Sequence, residues 1–229
     1  MKIEVYSDIH CPFCYLGKRR LEQDLQAMPG GDKVEVLYRG YVLDKNMAKN
    51  PGKNVYQSQA DRKGMAVADI QSAYENIAKT GLNFGLSYNM DDIVPTNTID
   101  GLALAQYAQT KGLQSEVMEK LYEAYYVTGD HLGELDTLVR IGVEVGLKEA
   151  EIREALSSGI YQAIVLKDDA SARSQKFEGI PYFIVNGKQA FFGSDQTAKV
   201  VEALVNGPTP KLQEIKPPSQ LACENGVCG

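Results

Sequence analysis

Two cysteine pairs stand at opposite ends of a chain of 229 residues. Cys11 and Cys14 lie in "SDIHCPFCYLG", while Cys223 and Cys228 enclose Glu-Asn-Gly-Val in "ACENGVCG". A thiol attacks only as its thiolate, and a free cysteine with a pKa of about 8.5 is mostly protonated at neutral pH. The first pair falls at the seam between an alternating apolar run and a helical pattern. There, unpaired backbone N–H groups and the positive end of the helix dipole favour the anion. Cys11 is therefore the candidate nucleophile. Cys14, one turn inward on the same side, is the candidate resolving thiol.

The neighbours modulate that chemistry. Pro12 suits the first helical turn, and Pro12 with Phe13 offers the thiolate neither imidazole nor hydroxyl. His10 adds positive charge if its ring turns toward Cys11, but a strand-end residue is expected to point to solvent. A half zinc site and two inert thiols are the competing readings. A C-x-x-C that follows a strand, opens a helix and holds a proline favours the redox dithiol.

Composition narrows the setting. The net charge of −6 argues against a nucleic-acid or anionic-membrane partner. A 44% hydrophobic content over this length suffices for one domain, or one domain with a large insertion. No segment approaches the ~18 apolar residues of a membrane span, and "MKIEVYSD" lacks a signal-peptide pattern. The expected location is the cytoplasm, where a close cysteine pair is more often catalytic or metal-binding than a structural disulfide. No phosphate-binding glycine motif and no His-rich metal motif occurs. His131, in "TGDHLGE", sits at a helix-entry loop with no serine motif nearby, so a hydrolase site is not expected.

The elements that position the pair follow from periodicity. "KIEVYSD" reads as a strand, and Leu16, Leu21, Leu25 and Met28 keep helical spacing after Pro12. "VEVLYRGYVL" is a second strand, completing a β-α-β unit. From about Asp61 to Phe177 the pattern is helical, in six segments with glycine stops, the first being "ADRKGMAVADIQSAYENIAKTG". Tyrosines in "YEAYY" and phenylalanines in "QAFFG" could line a peptide groove, with core packing favoured, although Tyr122, Tyr125 and Tyr126 are not expected to face one core together. "IPYFIVNGKQAFFG" is a hairpin around Asn186-Gly187, and "SDQTAKVVEALVN" is a closing helix capped by Ser194 or Asp195. "GPTPKLQEIKPPSQLACENGVCG" has no periodicity and reads as a mobile Pro-rich tail.

This order describes an α/β thioredoxin-like fold (β-α-β … β-β-α) with a large inserted α-helical domain. The expected division is residues 1–60 and 178–206 for the thioredoxin-like domain, 61–177 for the insertion and 207–229 for the tail. Pro181 opens a β-rich run where a trans proline fits poorly inside a sheet. In thioredoxin-like folds this position is a cis-proline loop against the dithiol, and Ile180 before it offers backbone groups to a substrate strand. An ordinary trans proline at a strand edge is the alternative.

"SDIHCPFCYLG", "NTIDGLALAQYA", "LYEAYYVTGDHLGELDTLVRIGVEVGL" and "GIPYFIVNGKQAFFGSDQ" together resemble the DsbA family of thioredoxin-fold oxidoreductases, in particular its FrnE-like cytoplasmic branch. The resemblance spans roughly residues 2 to 206 and implies thiol–disulfide exchange through Cys11 and Cys14, with Ile180-Pro181 as the cis-proline step. "IDGLAL" after Thr98 and "AFFGSDQ" depart from the patterns common in that family, which bears on substrate preference. The related 2-hydroxychromene-2-carboxylate isomerases and kappa-class glutathione transferases typically carry Ser at the place of Cys11 and use glutathione. They remain the alternative enzyme class.

At the other end, an Asn225-Gly226 turn would set Cys223 opposite Cys228 about 4.5–5.5 Å apart, within disulfide range. From Pro208 to Cys223 the extended tail spans at most ~50 Å, against a domain radius of gyration of roughly 17 Å. Two readings stand: a second redox pair exchanging electrons with Cys11/Cys14, or a small stapled or metal-scavenging tail. A four-cysteine zinc module built from both pairs is a non-enzymatic third. The expected activity is disulfide exchange with thiol- or disulfide-containing proteins, recycled by a redox partner such as thioredoxin or glutathione. No resident cofactor or metal is expected, with glutathione a candidate co-substrate.

Overall fold

The computed structural model describes residues 1–206. Strand β1 (Lys2–Ser7) runs into helix α1 (Pro12–Ala27) and returns as β2 (Glu35–Gly40). The chain closes with β3 (Tyr182–Val185), β4 (Gln189–Phe192) and α9 (Thr197–Asn206). The four strands form one sheet in the order β2-β1-β3-β4. β1 lies parallel to β2, with Val5 opposite Tyr38, and antiparallel to β3, with Val5 also opposite Phe183. This is the thioredoxin-like arrangement. Alternation dictates the buried face: Ile3, Val5, Phe183 and Val185 are all essentially inaccessible. At the β3–β4 turn Asn186 and Gly187 both take positive φ (49° and 67°), and Lys188 N–H closes on the Val185 carbonyl at 3.0 Å.

Between β2 and β3 run α2 (Val55–Lys63), α3 (Val67–Leu82), α4 (Ile99–Gln109), α5 (Gln114–Glu123), α6 (Leu135–Glu144), α7 (Glu149–Ser157) and α8 (Ile160–Ser174). The single helix expected over 60–81 is two. Gly64 adopts φ 66° and ends α2, because the left-handed turn costs glycine little. The last helix starts at Thr197, later than a cap at Ser194 or Asp195 would place it.

Tyr122, Tyr125 and Tyr126 also depart from expectation, since all three are buried to within 1%. Spacing of three and four residues puts them on one helical face. The chain then widens into a π-helical turn over Ala124–Thr128, which keeps Tyr125 and Tyr126 inward. Tyr15 of α1 stacks on Tyr122 at 4.9 Å between ring centroids, so this aromatic layer joins the helical block to the sheet domain.

The outer edge of β2 faces the block and is closed by side chains. Gln114 accepts from Tyr38 N–H at 2.9 Å, and the amides of Gln106 and Gln114 donate to the Tyr38 carbonyl at 2.9 and 3.0 Å. Glutamines of α4 and α5 thus take the place of a further strand at Tyr38, covering that edge. Gln114→Ala strands a buried N–H and halves the bonding of the carbonyl. An expected loss of about 1–3 kcal/mol is measurable by urea unfolding.

Candidate functional site: a buried dithiol beside a cis-proline

Cys11 is the N-cap of α1 (φ −97°, ψ 106°), with Pro12 as the first helical residue. Proline lacks the N–H that would be unsatisfied there anyway, and its fixed φ starts the helix. Cys11 retains 7% exposure and Cys14 only 2%. Cys14 N–H bonds to the Cys11 carbonyl at 2.9 Å, which turns the second thiol inward. Burial pushes the Cys14 thiol well above its ordinary value, and the adjacent Cys11 sulfur adds to that. One thiol is thus at the rim and the other, protonated, lies beneath it.

The Ile180–Pro181 bond is cis. The Ile180 carbonyl lies 3.7 Å from Cys11 Sγ, the thiol donating across 169 residues of sequence. Pro181 also approaches α1: a Cβ on Gly17 would lie 3.0 Å from Pro181 Cγ, so glycine is what lets the helix lie this close. Beyond, the Pro181 carbonyl accepts from Gly193 N–H at 3.0 Å, tying the loop to the end of β4. Phe13 is half-buried against the core.

Three residues outside the sequence-based set complete the site. The Asp8 carboxylate is fully buried and accepts from Thr98 Oγ at 2.7 Å, Leu43 N–H at 2.7 Å and His10 N–H at 3.3 Å. The Asp8 carbonyl takes the Cys11 N–H at 3.1 Å. Tyr88, from the segment after α3, donates to the Pro12 carbonyl at 2.9 Å. An acidic residue three positions before Cys11 was the available signal for Asp8; nothing local marks Thr98 or Tyr88.

His10 does not point to solvent: it is 2% exposed, with its ring 5.7 Å from that of Tyr125. Neither ring nitrogen makes a well-formed hydrogen bond. Burial holds its pKa below the usual 6.5 against the pull of the Asp8 charge, so the ring is neutral and adds no positive charge beside Cys11. The block of helices supplies the burial that the strand-end position alone did not suggest. Cys223 and Cys228 lie outside the described residues. Within the described residues no group of three or more His, Cys, Asp or Glu is arranged to hold a metal ion, and no helix is long and apolar enough to cross a membrane.

A cysteine pair at the head of α1, facing a cis-proline on a four-stranded sheet, defines a thioredoxin-fold dithiol protein. Residues 2–205 match the DSBA-like thioredoxin domain, and the chain belongs to that family. Its structure is similar to that of the probable DsbA oxidoreductase SCO1869 from Streptomyces coelicolor, with a TM-score of 0.82, 27% identity and 93% of each chain covered. It shares its fold with 2-hydroxychromene-2-carboxylate isomerase (TM-score 0.67, 15% identity, 90% of this chain and 95% of that one). The cytosolic disulfide reductase DsbM from Pseudomonas aeruginosa has the same fold (TM-score 0.61, 17% identity, 90% and 96% covered).

Two outcomes follow. In protein carrying Cys223→Ser and Cys228→Ser, limited alkylation at neutral pH is expected to modify Cys11 and spare Cys14, read by peptide mass spectrometry. Equal labelling would contradict the buried, protonated Cys14. For His10, the folded value lies below the unfolded 6.5. Its neutral ring therefore contributes stability above about pH 6.5 that is lost as pH falls toward the folded value. His10→Phe is expected to flatten that limb of the stability–pH curve in urea titrations.

Proposed function

We propose that this chain is a protein thiol–disulfide oxidoreductase of the FrnE-like branch, working in the cytoplasm through Cys11 and Cys14. The observation that carries the reading is the Cys11 thiol at the head of α1, 3.7 Å from the Ile180 carbonyl beside cis-Pro181. An extended substrate segment pairs with the Ile180 edge by strand addition, which sets its sulfur in line with Cys11.

In the reducing direction the Cys11 thiolate attacks a substrate disulfide, forming the mixed disulfide and expelling one substrate thiolate. Cys14 then loses its proton and attacks Cys11 Sγ. The Cys11–Cys14 bond forms, the mixed disulfide breaks, and the second substrate sulfur leaves with the electron pair. The dithiol is oxidised by two electrons and the substrate disulfide is reduced. The oxidising direction is the reverse, and the reduction potential decides between them. About 30 mV is a change of ~1.4 kcal/mol for this couple. Thioredoxin or glutathione recycles the pair. In this reading Cys223 and Cys228 are an accessory pair that exchanges with Cys11/Cys14, and replacing both by Ser is expected to slow turnover at low reductant concentration.

The names of the relatives support disulfide chemistry without assigning it: one solved structure is a probable oxidoreductase and another a disulfide reductase of the cytosol. The isomerase with the same fold keeps a glutathione-dependent isomerase or transferase as the alternative. Cysteine at both positions favours exchange.

The test is reduction of insulin disulfides. Cys11→Ser is expected to abolish it, and Cys14→Ser to accumulate mixed disulfides with substrate that a reductant releases. Isomerisation of 2-hydroxychromene-2-carboxylate that survives Cys14→Ser, with no insulin reduction by the parent chain, would favour the alternative.

A further inference from the structure

The Tyr88 hydroxyl, from the segment after α3, donates to the carbonyl of Pro12, the first residue of α1, at 2.9 Å. Its ring is held in place by contacts of its own. It meets Tyr15 and Tyr126 edge-on, with centroids 5.8 and 5.3 Å away. A Cβ on Gly81 would lie 2.5 Å from Tyr88 Cε2, so glycine near the end of α3 makes room for the ring. The N–H groups of Phe84 and Leu86 both close on the Gly81 carbonyl, and Asn89 N–H closes on that of Tyr126. Burial raises the Tyr88 pKa, so the hydroxyl stays protonated and remains a donor.

The peptide group that Tyr88 grips also carries the Phe13 N–H, at the second position of α1. Within the described residues that N–H has no acceptor, and the N-cap, Cys11, makes no side-chain capping bond. An N-cap side chain ordinarily accepts from the second or third helical N–H. The third, Cys14 N–H, is already closed on the Cys11 carbonyl. Phe13 N–H is therefore the capping donor left open to the Cys11 sulfur. A neutral thiol is a weak acceptor, whereas hydrogen bonds to an ionised partner are roughly twice as strong as neutral ones. Thiolate formation thus completes a chain: Tyr88 O–H to the Pro12 carbonyl, then Phe13 N–H of the same peptide group to Cys11 Sγ. Bonds in such a chain polarise one another, and a low local dielectric strengthens each.

A simpler explanation is that the hydroxyl only fastens the segment after α3 to α1. That accounts for a bond to some carbonyl of the helix. It does not account for the choice of the carbonyl whose peptide partner is the open capping donor.

Resting on the disulfide-exchange reading above, we propose that Tyr88 is a positioning residue of the dithiol: through the Pro12–Phe13 peptide it strengthens the N–H that receives the Cys11 thiolate. By this route the helical block favours the anion at Cys11 and, with it, the dithiol over the disulfide.

The experiment uses the reduced full-length chain with Cys223→Ser and Cys228→Ser, with and without Tyr88→Phe, which keeps the ring and removes only the hydroxyl. Alkylation of Cys11 by iodoacetamide, in which the thiolate displaces iodide, is followed as a function of pH. On the acid limb, where few thiols are ionised, Tyr88→Phe is expected to slow it by about threefold, within the range for one neutral hydrogen bond. On the alkaline plateau the variant should be no slower. At the plateau pH, oxidation by 2-hydroxyethyl disulfide passes two electrons from the dithiol and releases two small thiols. Its equilibrium should move toward the Cys11–Cys14 disulfide by a similar factor.

A slowing of equal size at every pH marks a purely structural contact and overturns the proposal, as does an unchanged acid limb. A ring-fluorinated tyrosine at position 88, a stronger donor, should instead speed the acid limb. No change or a slowing there overturns the proposal without relying on how Tyr88→Phe folds. If alkylation responds as expected but the small disulfide never oxidises the pair, the exchange reading fails and the role of Tyr88 stands.

Discussion

The buried Asp8 carboxylate is the constraint on which the site depends. Its three donors come from three separate segments: the turn itself, the stretch after β2 and the entry to α4. A carboxylate this far from water is tolerated only where its lone pairs are occupied. The bonds therefore act together, and the turn carrying Cys11 is held to the sheet and to the helical block at once. Since the Asp8 carbonyl also takes the Cys11 N–H, the backbone that presents the thiol is set by the same residue.

From that anchor the rest of the coupling follows. The helical block reaches the turn that carries Cys11 through Thr98 and Tyr88, grips the edge of β2 through Gln106 and Gln114, and packs tyrosines against α1. Deeper along α1, the buried Lys18 ammonium pairs with Glu22 and with Glu119 of α5 at 2.7 Å for the latter. Burial alone would raise the Glu119 pKa, yet Lys18, Arg19 and Tyr15 together hold it below the usual carboxylate value. A block joined this way is less an appendage than a wall of the site. It encloses Cys14, keeps His10 neutral, and confines access to the rim where Cys11 and Ile180 meet.

How much of this could be read from the chain depended on the range of the interaction. Cys11-Pro12-Phe13-Cys14 at a strand–helix seam, the Asn186-Gly187 turn, Gly129 closing the π-helical turn after α5 and Gly159 just past the end of α7 are local signals whose physics is complete within a few residues. Gly64 was a local signal of the same kind but was masked by apolar spacing that continued through it. His10 looked exposed because a strand end usually is; its burial comes from Tyr125, more than a hundred positions away. Asp8 carried no periodicity at all, and its three partners are spread from His10 to Thr98.

The order of residues by itself determined the dithiol, its place at the head of a helix, the β-α-β and β-β-α halves and the membership of a thioredoxin-like fold. These rest on backbone preferences and hydrophobic alternation, which neighbours in sequence suffice to express. Only the tertiary structure decided which thiol is reachable, that His10 is a neutral buried ring, and that the Ile180 carbonyl meets the Cys11 sulfur across the sheet. Those properties are matters of solvent exclusion and of distances between segments that meet only when the chain has folded.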